Sequence, residues 1–148
     1  MKFLPVAGDR KPRTFAATAF DEGGGRFSPD GRWVAYTSDE SGRTEVHVTS
    51  FPDASRHYRV SSGGAAQPRW SPDGRELFYV SGNKMTSVPV QKQGEDLAFG
   101  ASQVLFERPF QTFGGTAFNT STRYDVSKDG RILALVHAND QPPPPLTL

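Results

Sequence analysis

An all-β fold of repeated four-stranded units is what this chain predicts, on three observations. One design is written three times: FSPDGRWVAYTS from Phe27, WSPDGRELFYVS from Trp70 and VSKDGRILALVH from Val126. Each copy runs from an apolar residue through a tight turn into a short apolar run. Glycine (15) and proline (12) are frequent enough to punctuate many short strands instead of a few long helices.

The turn comes first. Ser28, Asp30, Gly31 and Arg32 recur as Ser71, Asp73, Gly74 and Arg75, and again as Ser127, Asp129, Gly130 and Arg131. Pro29 and Pro72 suit the second position of a type I turn, because the ring presets φ near about −65°. The aspartates can bond nearby backbone, and Gly31, Gly74 and Gly130 supply the left-handed residue that returns the chain into the next strand. Lys128 replaces proline in the third copy, which loosens that turn.

The runs after the turns are Trp33-Val34-Ala35-Tyr36, Leu77-Phe78-Tyr79-Val80 and Ile132-Leu133-Ala134-Leu135-Val136. They do not alternate apolar with polar, so inner strands buried on both faces are expected. Thr44 to Ser50 does alternate, which predicts an outer strand with Val46 and Val48 inward and Glu45 and His47 on its exposed face. The hairpin before it turns at Asp39-Glu40-Ser41-Gly42, and His57 to Val60 reads as an edge strand. Met85 to Val90 and Val104 to Phe106 take the same two roles in the second unit.

Four strands in about 43 residues is the period of a β-propeller blade. The predicted architecture is a partial propeller: a half blade over 1–22, a blade over 23–64, a blade with an insertion over 65–122 and a partial blade over 123–148. The insertion is placed between Lys92 and Arg123. Met1 to Val6 aligns with Met85 to Val90, so the chain reads as starting inside a blade and as the tail of a longer protein.

Composition excludes several classes of function. Seventeen basic against sixteen acidic residues give a net charge of +1, too weak a field to draw nucleic acid. The cluster Arg10-Lys11-Pro12-Arg13 reads as a solvated loop. With no cysteine there are no disulfides, thiolate metal sites or cysteine nucleophiles. The opening apolar stretch is too short for a signal-peptide core or a membrane span, so no membrane insertion is expected of this segment.

No residue carries a catalytic label, and no cofactor or metal is expected. Ser28, Ser71 and Ser127 open equivalent turns and read as hairpin caps, not nucleophiles. Asp30, Asp73 and Asp129 are spread one to a blade and form no acid/base pair. His47, His57 and His137 lack a paired spacing such as i, i+2 in one strand, so structural or surface roles are expected. Asp39 and Glu40 read as solvent-facing turn residues instead of calcium ligands. Trp33 and Trp70 read as blade-packing residues.

The segments FSPDGRWVAYTSDESGRTEVHV and PRWSPDGRELFYVSGNKMTSVPV resemble the Pro-Asp repeats of TolB-type β-propellers. The order of LPVAGDRKPRTF, Phe51-Pro52, PRWSPDG, YDVSKDGR and the closing Pro145 to Leu148 is similar to the C-terminal propeller of bacterial receptor-like serine/threonine kinases and winged-helix regulators. That resemblance implies a non-catalytic interaction or ligand-sensing module, with any catalytic or DNA-binding domain upstream. A protein partner or small ligand would bind at the propeller loops. If such a parent were membrane-anchored, the propeller would be extracytoplasmic. The alternative is a fragment of a propeller lyase or of a peptidase's gating propeller, though no G-x-S-x-G elbow is present. About three blades are too few to close a ring. A monomeric fragment is therefore expected, with a two-chain six-bladed ring as the competing state.

Overall fold

The computed structural model describes residues 1–15, 18–108 and 124–135, and no helix occurs among them. Among the described residues, thirteen strands form four antiparallel sheets. β1 (Lys2–Phe3) and β2 (Arg13–Thr14) make a short ribbon. β3 (Glu22–Phe27), β4 (Trp33–Ser38), β5 (Glu45–Ser50) and β6 (His57–Arg59) follow as a four-stranded meander, in the order of the chain. β7 (Ala66–Trp70), β8 (Glu76–Ser81) and β9 (Lys84–Gln93) repeat its first three strands. β10 (Asp96–Phe99) and β11 (Gln103–Glu107) then share the far edge of β9. β12 (Tyr124–Val126) and β13 (Ile132–Ala134) form the last pair.

The repeat turn joins the first two strands of each unit. Gly31 N–H donates to Ser28 O at 2.8 Å, and Gly74 and Gly130 do the same to Ser71 and Ser127 at 2.9 Å. All three glycines have positive φ (69°, 71° and 83°), the region that a side chain resists. A second recurrent device is a bulge in the first strand of each full unit. The register shifts between Gly23 and Arg26 and between Ala66 and Arg69, with Gly24 and Gln67 at φ 65° and 60°.

The sheets stack face to face. Trp33, Ala35, Val46 and Val48 of the first meander pack on Trp70, Leu77, Tyr79, Val88, Val90 and Leu97 of the second. Phe78, Val80 and Met85, on the other face of the second sheet, pack on Tyr124, with Val126, Ile132 and Ala134 beside them. The alternation of β8 between these two clusters explains its uninterrupted apolar run. Hydrogen bonds also cross between layers: Trp70 Nε1 donates to Arg26 O at 3.2 Å between the first two, and Tyr124 Oη to Gln67 O at 2.7 Å between the next two.

Four expectations change. First, β5 is buried on both faces, with Glu45 2% and His47 0% exposed. The Glu45 carboxylate is not solvated there, because it accepts from Ser61 Oγ at 2.5 Å and from the N–H groups of Gly63 and Gly64 at 2.8 and 2.9 Å. Buried polar side chains kept the alternating pattern without an exposed face.

Second, the third repeat is one residue tighter. Val126 pairs with Ile132, whereas Phe27 pairs with Val34 and Trp70 with Leu77. Ser127 N–H reaches Arg131 O, four residues on, where Ser28 and Ser71 reach Trp33 and Glu76, five on. A one-residue slip exchanges the two faces of a strand. Ile132 and Ala134 therefore face the second sheet, and Leu133 is 75% exposed instead of buried.

Third, the strand expected over Met1 to Val6 ends at Phe3, leaving Leu4 and Val6 exposed. Fourth, part of the insertion is an extension of β9 past Val90, folded back by Gly94 as the hairpin to β10. The remainder, 109–123, lies outside the described residues, as do Val136, His137 and the closing Pro142 to Leu148.

Candidate functional site

Three places could carry function: the rim of repeat turns, an aromatic cleft and a histidine cluster. At the rim, each serine is committed to its own turn. Ser28 Oγ donates to Asp30 Oδ1 at 2.6 Å and accepts from Trp33 N–H at 3.0 Å. Ser71 repeats this with Asp73 at 2.7 Å and Glu76 N–H at 2.9 Å. Ser127 donates to Asp129 and accepts from Arg131 N–H. The aspartates close the motif by accepting from Arg32 and Arg75 N–H at 3.1 and 3.0 Å. These hydroxyls and carboxylates hold hairpins together.

The first two turns stand side by side. A Cβ on Gly74 would lie 3.5 Å from the Pro29 ring, and Lys92 Nζ on the β9 extension bonds Asp30 Oδ2 at 2.7 Å. Burial alone would raise the Asp30 carboxyl. Lys92, the Ser28 hydroxyl and Arg32 N–H outweigh it and hold the group at about 2. Arg75 projects from this rim 84% exposed, and Arg131 projects from the third turn 83% exposed. Trp33 and Trp70 lie beneath, 5% and 9% exposed, as parts of the core.

A cleft of about 630 Å³ opens between the β1–β2 ribbon and the first meander. Its walls are Phe3, Phe15, Phe27 and Phe51, and ring centroids of the other three lie 4.9–5.2 Å from that of Phe51. The glycines Gly23, Gly24 and Gly25 of β3 line it as well.

The histidine cluster lies on the face of the first meander turned away from the second. Tyr36 and His47 are cross-strand partners, and β6 brings His57 to the same face. His47 Nδ1 stands 3.1 Å from His57 Nε2 and 3.3 Å from Glu40 Oε1; Tyr36 Oη stands 3.1 Å from His57 Nε2. Glu40 turns back from the hairpin toward the histidines and is 29% exposed, a different position from the solvent-facing one expected of it. Burial depresses the basicity of His47, with Glu40 pulling the other way. His47 Nε2 is buried with no hydrogen-bond partner among the described residues, an arrangement that costs about 1–3 kcal/mol. Sequence spacing hid the cluster because its members meet across a hairpin and an edge strand. Histidines at the two ends of a β5–β6 pair, below a hairpin glutamate, were the available signal.

No family model matches the chain, and no curated protein does. Among solved structures the chain is similar to a protein assigned as a TolB from Agrobacterium tumefaciens, at 22% identity and a TM-score of 0.57. The likeness covers 86% of this chain and 46% of that one, so the chain spans about half its neighbour's length. The stacked antiparallel sheets are thus a portion of a TolB-like β-propeller fold.

Proposed function

We propose that the chain is a non-catalytic interaction module that binds a protein partner or small ligand through loops at one end of its stacked sheets. In this reading it belongs to a larger bacterial signalling or regulatory protein, of the kinase-associated kind that its SPDG repeats resemble. The observation that supports it most is the juxtaposition of equivalent turns. A Cβ at Gly74 would touch the Pro29 ring, and Lys92 bonds Asp30. Loops presented in register on a rigid scaffold are where binding concentrates. The serines and aspartates there are consumed by turn bonds, while Arg32 and Arg75 remain exposed.

Photo-crosslinking residues placed at Arg32 and Arg75, compared with the same residue at Arg43 on the opposite end, test this in the organism of origin. The expected result is one shared adduct from the two rim positions and none from Arg43. Equal labelling from both ends contradicts the reading. So does turnover by the purified chain in hydrolase, lyase or phosphotransfer screens, which instead supports a propeller enzyme.

A further inference from the structure

We propose that Glu40, His47 and His57 form a binding site for one divalent transition-metal ion of the zinc class. Four donors held tetrahedrally at about 2.0–2.1 Å from zinc lie about 3.3–3.4 Å from one another. The three separations here are 3.1 Å (His47 Nδ1 to His57 Nε2), 3.3 Å (His47 Nδ1 to Glu40 Oε1) and 3.8 Å (His57 Nε2 to Glu40 Oε1). They bracket that edge without rearrangement of the backbone. Two imidazole nitrogens and a carboxylate oxygen are also a donor set that zinc and its neighbours accept, whereas calcium and magnesium prefer oxygen alone.

Hydrogen bonding does not account for the cluster on its own. His57 Nε2 offers a single lone pair or a single proton, yet Tyr36 Oη and His47 Nδ1 both approach it at 3.1 Å. His47, 0% exposed, is in the same position: its Nδ1 lies 3.1 Å from His57 Nε2 and 3.3 Å from Glu40 Oε1. A cation at the convergence of the three donors uses both lone pairs and the Glu40 charge together. Arg59, opposite His47 on β6, is the cation whose field opposes binding, and Glu40 and Glu45 offset it.

The same surroundings leave room for a fourth ligand. Glu40 and His57 are 29% and 40% exposed, so water reaches the site from their side. Tyr36 stands beside that approach. Its hydroxyl lies 3.1 Å from His57 Nε2, within reach of a water held at the fourth position. Because the donors come from the β4–β5 hairpin, β5 and β6, the ion would pin the edge strand to the meander. The site does not depend on the proposed interaction role, and its failure would leave that role standing.

The test uses the tag-free chain, stripped with a chelator and then equilibrated with zinc sulfate. Mass-spectrometric metal content, competition titration against a zinc indicator, and the visible spectrum of the cobalt(II) form are the readouts. The expected result is one zinc per chain and the intense visible bands of four-coordinate cobalt. His57→Ala and Glu40→Gln, both partly exposed positions, should each weaken zinc at least about tenfold, the loss that follows even from removing an outer-shell partner. Glu95→Gln, outside the cluster, should bind as wild type. If His57→Ala fails to fold by circular dichroism, Glu40→Gln decides. Absence of retained zinc, or zinc held equally well by the folded variants, overturns the assignment.

Discussion

Replacing Gly31 by alanine isolates the backbone cost of the repeat turn. Gly31 has φ +69°, and a Cβ added there meets nothing within 4 Å, so no steric clash enters. An L-residue forced into the left-handed region costs about 1–2 kcal/mol. Stiffening the unfolded chain returns about 0.4–1 kcal/mol of that, leaving a net loss near 1 kcal/mol. At roughly 2.1 cal/mol/K per residue, a chain of this length loses about 3 °C of melting temperature for each kcal/mol. Gly31→Ala should therefore melt about 3 °C lower, and Gly31→Val lower still. Gly31→Asn should recover most of the difference, since asparagine tolerates this conformation. Reversible thermal melts followed by circular dichroism are the assay. An alanine variant as stable as wild type, or an asparagine variant no better than alanine, would refute the left-handed assignment as the source of the motif's glycine.

Leu77→Ala should cost about 2–5 kcal/mol in a urea titration, because Leu77 is 0% exposed in the core between the first two sheets. Glu45→Ala strands the Ser61 hydroxyl and two glycine N–H groups and should cost about 1–3 kcal/mol or more in the same titration. Asp30→Asn should change the acid limb of the stability curve. The folded-state carboxyl is depressed from 3.8 to about 2, so its contribution is present above about pH 4 and lost as pH falls through 2. The wild type should lose stability relative to the variant across that window, and parallel curves would argue against the Lys92 and Ser28 bonds. Light scattering should find a species of about 16 kDa; one of twice that mass favours the paired ring.

The parts legible in the sequence are those set by local backbone chemistry. Ser-x-Asp-Gly predicts its turn because the serine, the aspartate and the glycine each favour a tight reversal, and all three copies place the glycine at positive φ with its N–H bonded to the serine carbonyl. The apolar runs in β4 and β8 announced burial on both faces, and both are buried. Features settled by partners distant in sequence were not legible. Glu45 and His47 look solvent-facing until Ser61, Gly63, Gly64 and Glu40 arrive from elsewhere. Leu133 looks buried until the third turn, lacking its proline, closes one residue early and reverses the face. The β9–β10 hairpin was signalled by Gln93-Gly94-Glu95, a turn-forming triplet that the repeat alignment passed over.

Successive sheets stack as propeller blades, and the Trp70 indole reports on that stacking. Its N–H donates to Arg26 O on the neighbouring sheet at 3.2 Å, across a sequence separation that no local structure can bridge. Nuclear magnetic resonance of the nitrogen-labelled chain should show this indole proton exchanging slowly with water. It should also show nuclear Overhauser effects from that proton to the backbone of Arg26 and Phe27. An indole that exchanges at the rate of a free tryptophan, with Overhauser effects confined to its own sheet, would contradict the stacked arrangement.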